Sequence, residues 1–392
     1  MIKGKTKKNV YFFICDVLSI INKLIPKSKN KILFFSSNDI TDNSKSVLDY
    51  LIDNKYNDKY KITCCVRDVE RYSDVSIKNL SYKKSIMGIY EILTSKYIFF
   101  HGEIIAIKPS KSQMSINLWH GTPLKKFNKL ADKLKDYRYN FFSYLLASSE
   151  AFKPIMRACF DCNMEQMVVL GHPRNDELFK GLDALNKVGI DKNKYKKVFL
   201  WMPTFRVSKD NFIVDIKDEF KSETGISIFN TNEKLMNLNN LLKEKESFMI
   251  IKLHPAQNLN CVNTSNYENI KFLMNEDIEK HGIHLYNLVG ECDSLITDYS
   301  SIFFDYLLLN RPIGFTIEDI ESYEDTRGFV FENPLDYMPG MKIKDVEGFN
   351  AFLEDVIQGK DGYEDERKRI NDFANKYQDN LNCKRLVEFS GL

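Results

Sequence analysis

The stretch LITDYSSIFFDY, residues 295–306, changes its pattern in the middle. Up to Thr297 it is a short apolar run of the strand type, and from Ile302 its large apolar residues crowd together as on a buried helix. Between the two, Asp298-Tyr299-Ser300-Ser301 supplies the small polar groups that start helices. Parallel strands cannot be joined by a tight hairpin and need a crossover, usually a helix, so a strand running into a helix predicts a parallel sheet.

Outward from this stretch the same alternation recurs. Apolar runs in the first half lie at 31–36 (KILFFS), 61–66 (KITCCV), 97–101 (YIFFH), 113–118 (QMSINL) and 144–148 (YLLAS). Helical patterns occupy 44–52, 86–93 and 150–159. A second series begins at Lys197, with runs at 198–202, 248–252, 294–297 and 312–315 and helical patterns at 235–245 and 301–309. Two α/β series predict two doubly wound domains, 31–190 and 191–392, joined through the polar stretch 180–196. A chain of 392 residues is long enough for two cores. The stretch 346–383 reads as charged amphipathic helices.

Segment 1–30 stands apart. Its apolar stretch, 10–25, is broken by Asp16, Asn22 and Lys23, too short and too polar to span a bilayer. Tyr11, Ile14, Leu18, Ile21 and Ile25 recur at helical spacing between basic ends. Such a helix either lies in a membrane interface or docks on the domain behind it.

Bulk composition narrows the function. With 43% hydrophobic and 28% charged residues the chain is globular. The net charge of +2, from 56 basic and 54 acidic side chains, lacks the basic excess of a nucleic-acid binder. Cys159 and Cys162 form a C-x-x-C without the second pair that zinc requires. The eight cysteines therefore read as structural thiols of a reducing compartment.

In doubly wound sheets ligands bind beyond the carboxyl ends of the strands. Each conspicuous motif follows a strand-like run. INLWHGTPLKKF (116–127) places His120 after an apolar run, with Gly121 and Lys125 as further binding candidates. GHPRND (171–176) carries Arg174 out of a tight loop, where it would orient the loop or meet a phosphate, and Asn175 or Asp176 suits the cap of the next helix. WMPTFR (201–206) ends its strand at Pro203, beyond which Arg206 offers a fork of donors to a diphosphate. IIKLHP (250–255) repeats the design of the His120 stretch with Lys252 and His254, and the two histidines could converge across one cleft. At 298–301, Asp298 flanks a helix start where the serines, Ser300 and Ser301, can cap and free N–H groups form an anion site.

The sequence has no D-x-D pair, no G-x-x-x-x-G-K-[ST] loop and no G-x-G-x-x-G turn. No metal or cofactor is expected, and neither an NTPase nor a dehydrogenase is indicated. Positive charge at a diphosphate would come from Arg206, Lys252, histidine and a helix dipole.

Taken together, WHGTPLK (119–125), GHPRND (171–176), PTFR (203–206), KLHP (252–255) and TDYSSIFFDY (297–306), with RGFVFE (327–332), resemble the CDP-glycerol glycerophosphotransferase family of teichoic-acid primases and polymerases. The blocks stand in the family's order. The resemblance implies a GT-B architecture, two Rossmann-like domains facing a cleft, and metal-independent chemistry. It implies transfer of glycerol phosphate, or in some branches ribitol phosphate, from CDP-glycerol or CDP-ribitol, with release of CMP. The acceptor would be a lipid-linked polyol phosphate or glycan at the cytoplasmic face of a bacterial membrane, where the protein would be peripheral.

By the same resemblance His120 is the general base on the acceptor hydroxyl, and His254 the second essential histidine, near the donor phosphates. Ser300 and Ser301 fall in the donor phosphate site with Asp298 beside them, and Thr204 and Arg206 lie near the nucleotide. Without the long N-terminal extension of the large polymerases, the chain looks more like a primase or short polymerase. Two rival readings are a GT-B glycosyltransferase, which would leave a nucleoside diphosphate, and a non-catalytic membrane-peripheral scaffold.

Overall fold

The structure, a computed structural model, describes residues 5–36, 39–102, 104–204, 222–253 and 267–392. The chain divides into two compact units. The first comprises Met1–Gly121, Phe127–Asp176 and Lys376–Leu392; the second comprises Thr122–Lys126 and Glu177–Asn375.

The first unit holds a sheet of seven strands: β1 (Ser28–Phe35), β2 (Lys61–Val66), β3 (Leu80–Lys84), β4 (Ser95–Phe100), β5 (Met114–Asn117), β6 (Tyr144–Ala147) and β7 (Met167–Val169). All pairings are parallel, in the order β3-β2-β1-β4-β5-β6-β7. Its helices include α1 (Lys5–Leu24), α2 (Asp42–Asp53), α3 (Gly88–Thr94) and α4 (Lys153–Phe160). Successive strand residues point to opposite faces. Ile32, Phe34, Cys64 and Phe99 therefore join Val47, Leu48 and Leu51 of α2 in one core. Leu33, Phe35, Cys65 and Phe100 join Met156 and Phe160 of α4 in the other. Burial on both faces is why these strands read as unbroken apolar runs.

Among the described residues the second unit holds six parallel strands: β8 (Lys197–Met202), β9 (Ser247–Lys252), β10 (Ile270–Leu273), β11 (Ser294–Thr297), β12 (Ile313–Thr316) and β13 (Met341–Ile343). Their order is β10-β9-β8-β11-β12-β13. Among the described residues the order of strand addition reverses once in each sheet, between β1 and β4 and between β8 and β11. Loops at such a switch point diverge to opposite faces and leave room for a ligand.

The expected pair of doubly wound domains is present, but the division differs from a cut within 180–196. It falls at Asp176, and the last helix, Asn382–Ser390, belongs to the first unit. The Asp176 carboxylate accepts from the Asn382 and Cys383 N–H groups at 2.9 and 2.8 Å, capping that helix. Leu386 and Val387 then enter the α2-side core. Gly171, at φ +77°, admits the same helix, since a Cβ there would lie 1.8 Å from Asn382 Oδ1. The cap expected for the helix following GHPRND thus serves a helix some two hundred residues further on.

Helix α1 docks on the first unit, one of its two expected roles. Cys15, Ser19 and Asn22 are its buried residues, and Asn22 Nδ2 donates to Gln113 Oε1 at 2.7 Å. Phe13, Ile14, Val17, Ile20, Ile21 and Leu24 stay exposed. Among the described residues no helix is long and apolar enough to cross a membrane. Cys159 and Cys162 are buried free thiols, pushed up by burial to about 12 and about 11. They are packing groups.

Candidate functional site

In the first unit, chemistry gathers at the carboxyl edge of the sheet around its switch point. Helix α2 starts just beyond β1, and its first turn presents Asp42, Asn43 and Ser44. His101 follows β4, His120 follows β5, and His172 and Arg174 follow β7. Ser44 Oγ lies 2.9 Å from His101 Nδ1, which ties the two sides of the switch point together. Arg174 Nη1 donates to both Asp42 carboxylate oxygens at 2.9 and 2.8 Å. Burial alone would raise the Asp42 carboxyl, but Arg174 and the nearby histidines hold it well below the usual carboxylate range.

The His120 ring is exposed, and it stacks at 3.8 Å between centroids on the buried Trp119. Dense protein around it presses its imidazole down to about 4; Arg174, His101 and His172 push the same way and Asp42 opposes them. Because water still reaches the ring, the sign of that shift matters more than its size. His120 is a neutral imidazole at neutral pH, able to take a proton. Burial likewise lowers His101, with Asp42 pulling the other way. Gly121 follows at φ +136°, a conformation suited to glycine.

Residues 122–126, the tail of the WHGTPLK block, belong to the second unit. Lys126 N–H donates to Gly328 O at 3.0 Å, and Val330 N–H donates to Leu124 O at 2.9 Å. The RGFVFE block is therefore the pairing partner of this tail, and the Lys125 ammonium sits 5.8 Å over the Tyr323 ring.

The switch point of the second unit joins the ends of β8 and β11. Asp298 is fully buried, and its Oδ2 accepts from Thr204 N–H at 2.7 Å. The Thr204 hydroxyl donates to the other carboxylate oxygen. Asp298 thus holds the turn after β8 in place. Ser300 and Ser301 are half-buried beside it, and Ser301 occupies the cap position of the helix Ile302–Tyr306 without a side-chain cap bond. The expected serine cap is absent there because Ser301 has helical backbone angles (φ −64°, ψ −12°), whereas a capping residue is normally extended.

Lys252 ends β9. Its buried ammonium donates to Leu253 O at 2.9 Å and to Asn275 Oδ1 at 2.7 Å. Burial lowers the amine to about 8, opposed by Glu276, Asp277 and Glu279. Arg206 and His254 lie outside the described residues.

Residues 17–389 match the CDP-glycerol:poly(glycerophosphate) glycerophosphotransferase family. The chain belongs to this family. It is 28% identical to the teichoic acid poly(glycerol phosphate) polymerase of Bacillus spizizenii, over 81% of this chain and 82% of that one. It is 27% identical to the teichoic acid glycerol-phosphate primase of Bacillus subtilis, over 96% and 95% of the two chains. The teichoic acid ribitol-phosphate primase of Bacillus spizizenii is 26% identical, over 94% and 93%. A solved structure of the wall teichoic acid polymerase TagF superposes with a TM-score of 0.74 at 22% identity, covering 96% of this chain and 91% of that one. The chain shares that fold of two Rossmann-like α/β domains.

The structure thus brings His120 and Arg174 to one edge of the first unit, and Thr204, Asp298, Ser300 and Ser301 to one edge of the second. Sequence reasoning missed Asp42, Asn43, His101 and His172. His101 carried the signal that singled out His120, a histidine closing an apolar strand (YIFFH). Asp42 and Asn43 lie in TDNS, an ordinary helix-start pattern whose partners are remote in sequence.

Proposed function

We propose that the protein transfers glycerol phosphate from CDP-glycerol to a hydroxyl of a lipid-linked, teichoic-acid-type acceptor, with His120 as the general base. The acceptor oxygen attacks the phosphorus that bears the glycerol. A new O–P bond forms, the phosphoanhydride bond breaks, CMP leaves with the bridging oxygen, and the hydroxyl proton passes to His120. The observation that carries this reading is a neutral, solvent-reachable imidazole fixed at the switch-point edge of the first unit. A base in hydrogen-bond reach contributes about 10²–10⁴-fold.

Charge developing on the phosphoryl oxygens needs fixed donors, which give most of the acceleration in phosphoryl transfer. Thr204, Ser300 and Ser301 at the second switch point are proposed to provide them, with Asp298 keeping Thr204 in place. Lys252, Arg206 and His254 are proposed to supply positive charge to the donor, without a metal ion. Gly121 and Lys125 are proposed to line the acceptor side, and Arg174 acts there through its pair with Asp42.

CDP-ribitol is the second reading of the donor, because similar relatives include both glycerol-phosphate and ribitol-phosphate enzymes. The deciding assay is CMP release with each donor in parallel against a lipid-linked glycerophosphate acceptor. Release with one donor names the polyol. Silence with both, alongside nucleoside diphosphate release from a nucleotide sugar, would establish a glycosyltransferase instead.

Peripheral attachment to the cytoplasmic face of the membrane belongs to the same proposal. The exposed apolar ridge of α1 supports it, with Phe13 at 69% and Leu24 at 80% exposure and basic residues at both ends of the helix. Ile86, Met87 and Tyr90 of the first unit are exposed as well, and the Lys31 ammonium sits 4.7 Å over the Tyr90 ring.

A further inference from the structure

Trp119, immediately before His120, occupies the left-handed backbone region at φ +50°. A bulky L-residue is rarely found there, and such a conformation persists only where the surroundings impose it. Two buried asparagines do so. The Trp119 N–H donates to Asn117 Oδ1 at 2.9 Å. The Trp119 carbonyl accepts from Asn43 Nδ2 at 2.9 Å, and the Leu118 carbonyl accepts from the same nitrogen at 3.1 Å. Asn43 Oδ1 in turn accepts from the Arg174 N–H at 3.0 Å. The indole ring is held as well, stacked 4.7 Å from Phe127 and edge-on 4.8 Å from Phe160.

We propose that Asn43 and Asn117 are positioning residues for His120, clamping the left-handed Trp119 backbone so that the next side chain is aimed at the acceptor hydroxyl. A glycine at 119 would reach this φ without strain. The chain has instead a tryptophan whose ring supports the His120 imidazole, and the clamp maintains the backbone that this ring requires. Asn43 also links the loops after β5 and β7 to the first turn of α2, so the base and the Arg174 loop share one support. The inference rests on the role proposed for His120.

The two asparagines act through opposite chemistry, which makes the clamp testable. Asn43 holds Trp119 by donating and Asn117 by accepting, and an aspartate can accept but not donate. Asn117→Asp keeps the hold on Trp119; Asn43→Asp and Asn43→Ala lose it. Two readouts apply to each variant: kcat and KM for CMP release, and the rate at which diethyl pyrocarbonate modifies His120, followed by peptide mass spectrometry. The expected result for Asn43→Ala is a fall in kcat of about 10²-fold, the scale of a base displaced by about 1 Å. Donor KM stays near wild type and the His120 modification rate changes. Asn117→Asp retains both values, whereas Asn117→Ala loses them.

Wild-type kcat and wild-type His120 reactivity in Asn43→Ala would overturn the clamp, as would Asn117→Asp falling as far as Asn117→Ala. If the Asn43→Asp chain does not fold, Asn43→Ala against Asn117→Asp makes the same comparison. A wild-type protein silent in CMP release would overturn the proposed function, and the modification rates would still decide the clamp.

Discussion

Arg174 and Asp42 form a two-point ion pair, with Nη1 at 2.9 and 2.8 Å from the two carboxylate oxygens and the Arg174 side chain only 6% exposed. Sequence alone left two roles for Arg174, orienting its loop or meeting a phosphate. In the fold that charge is matched, and the pair anchors the loop after β7 to the start of α2. Removing one partner leaves the other buried and uncompensated, so Asp42→Ala should lower folding stability by about 3 kcal/mol in denaturant titration. Adding Arg174→Met should restore most of it.

The same pair sets a limit on acid stability. The Asp42 carboxyl is depressed in the fold, so between its folded and unfolded pKa values the unfolded chain binds the extra proton. Its contribution is complete above the unfolded value of 3.8 and is lost as pH falls below it. The Asp42→Ala variant should lack that part of the acid-denaturation slope.

His120 should govern the acidic limb of turnover. A base whose pKa is lowered is neutral across the physiological range, so the acidic fall of CMP release should lie below the ordinary histidine value of 6.5. His120→Ala should reduce turnover by about 10²–10⁴-fold while CDP-donor binding, measured by calorimetry, is retained. Equal turnover in that variant would remove His120 from the mechanism.

Lys252 should govern the alkaline side of donor binding. Its amine carries charge below about 8, so donor KM should rise between pH 7 and 9, and Lys252→Met should flatten that rise. Folding stability should move the opposite way. The unfolded amine binds its proton up to about 10.5, so stability increases with pH across this window.

The proposed chemistry draws its positive charge from side chains. Turnover should therefore be unchanged by dialysis against EDTA, with added magnesium giving no more than an ionic-strength effect. Loss of activity in EDTA and its return with a divalent ion would replace this account by a metal-assisted one.

Membrane attachment should reside in the outward ridge of α1. Phe13→Asp with Ile20→Asp should cut sedimentation with anionic vesicles strongly and leave the melting temperature unchanged, because both side chains already face solvent. Unchanged vesicle binding would assign attachment to another surface.

Much of this molecule is legible in its sequence because burial on both faces of a parallel sheet leaves continuous apolar runs. The runs at 61–66 and 294–297 coincide with β2 and β11. Strands β3 (Leu80–Lys84), β10 (Ile270–Leu273) and β13 (Met341–Ile343), which no apolar run marked, are edge strands, short and mixed with lysine, and the remaining edge strand, β7, is only 3 residues long. An edge strand is half solvated, so its composition drifts toward that of a loop. The candidate site divides in the same way. His120 and Asp298 follow strand ends and could be singled out from local pattern alone.

What the sequence by itself determined is local: strand runs, helix starts, and which residue types close each strand. The partners of those residues were decided only by tertiary structure. Asn43 reaches Trp119 across 76 positions, Asp42 meets Arg174 across 132, and Asp176 caps a helix 206 positions away. No periodicity encodes such pairs. They exist because the sheet order brings the ends of β1, β5 and β7 to one edge, where buried polar groups must find hydrogen-bond partners wherever the chain delivers them.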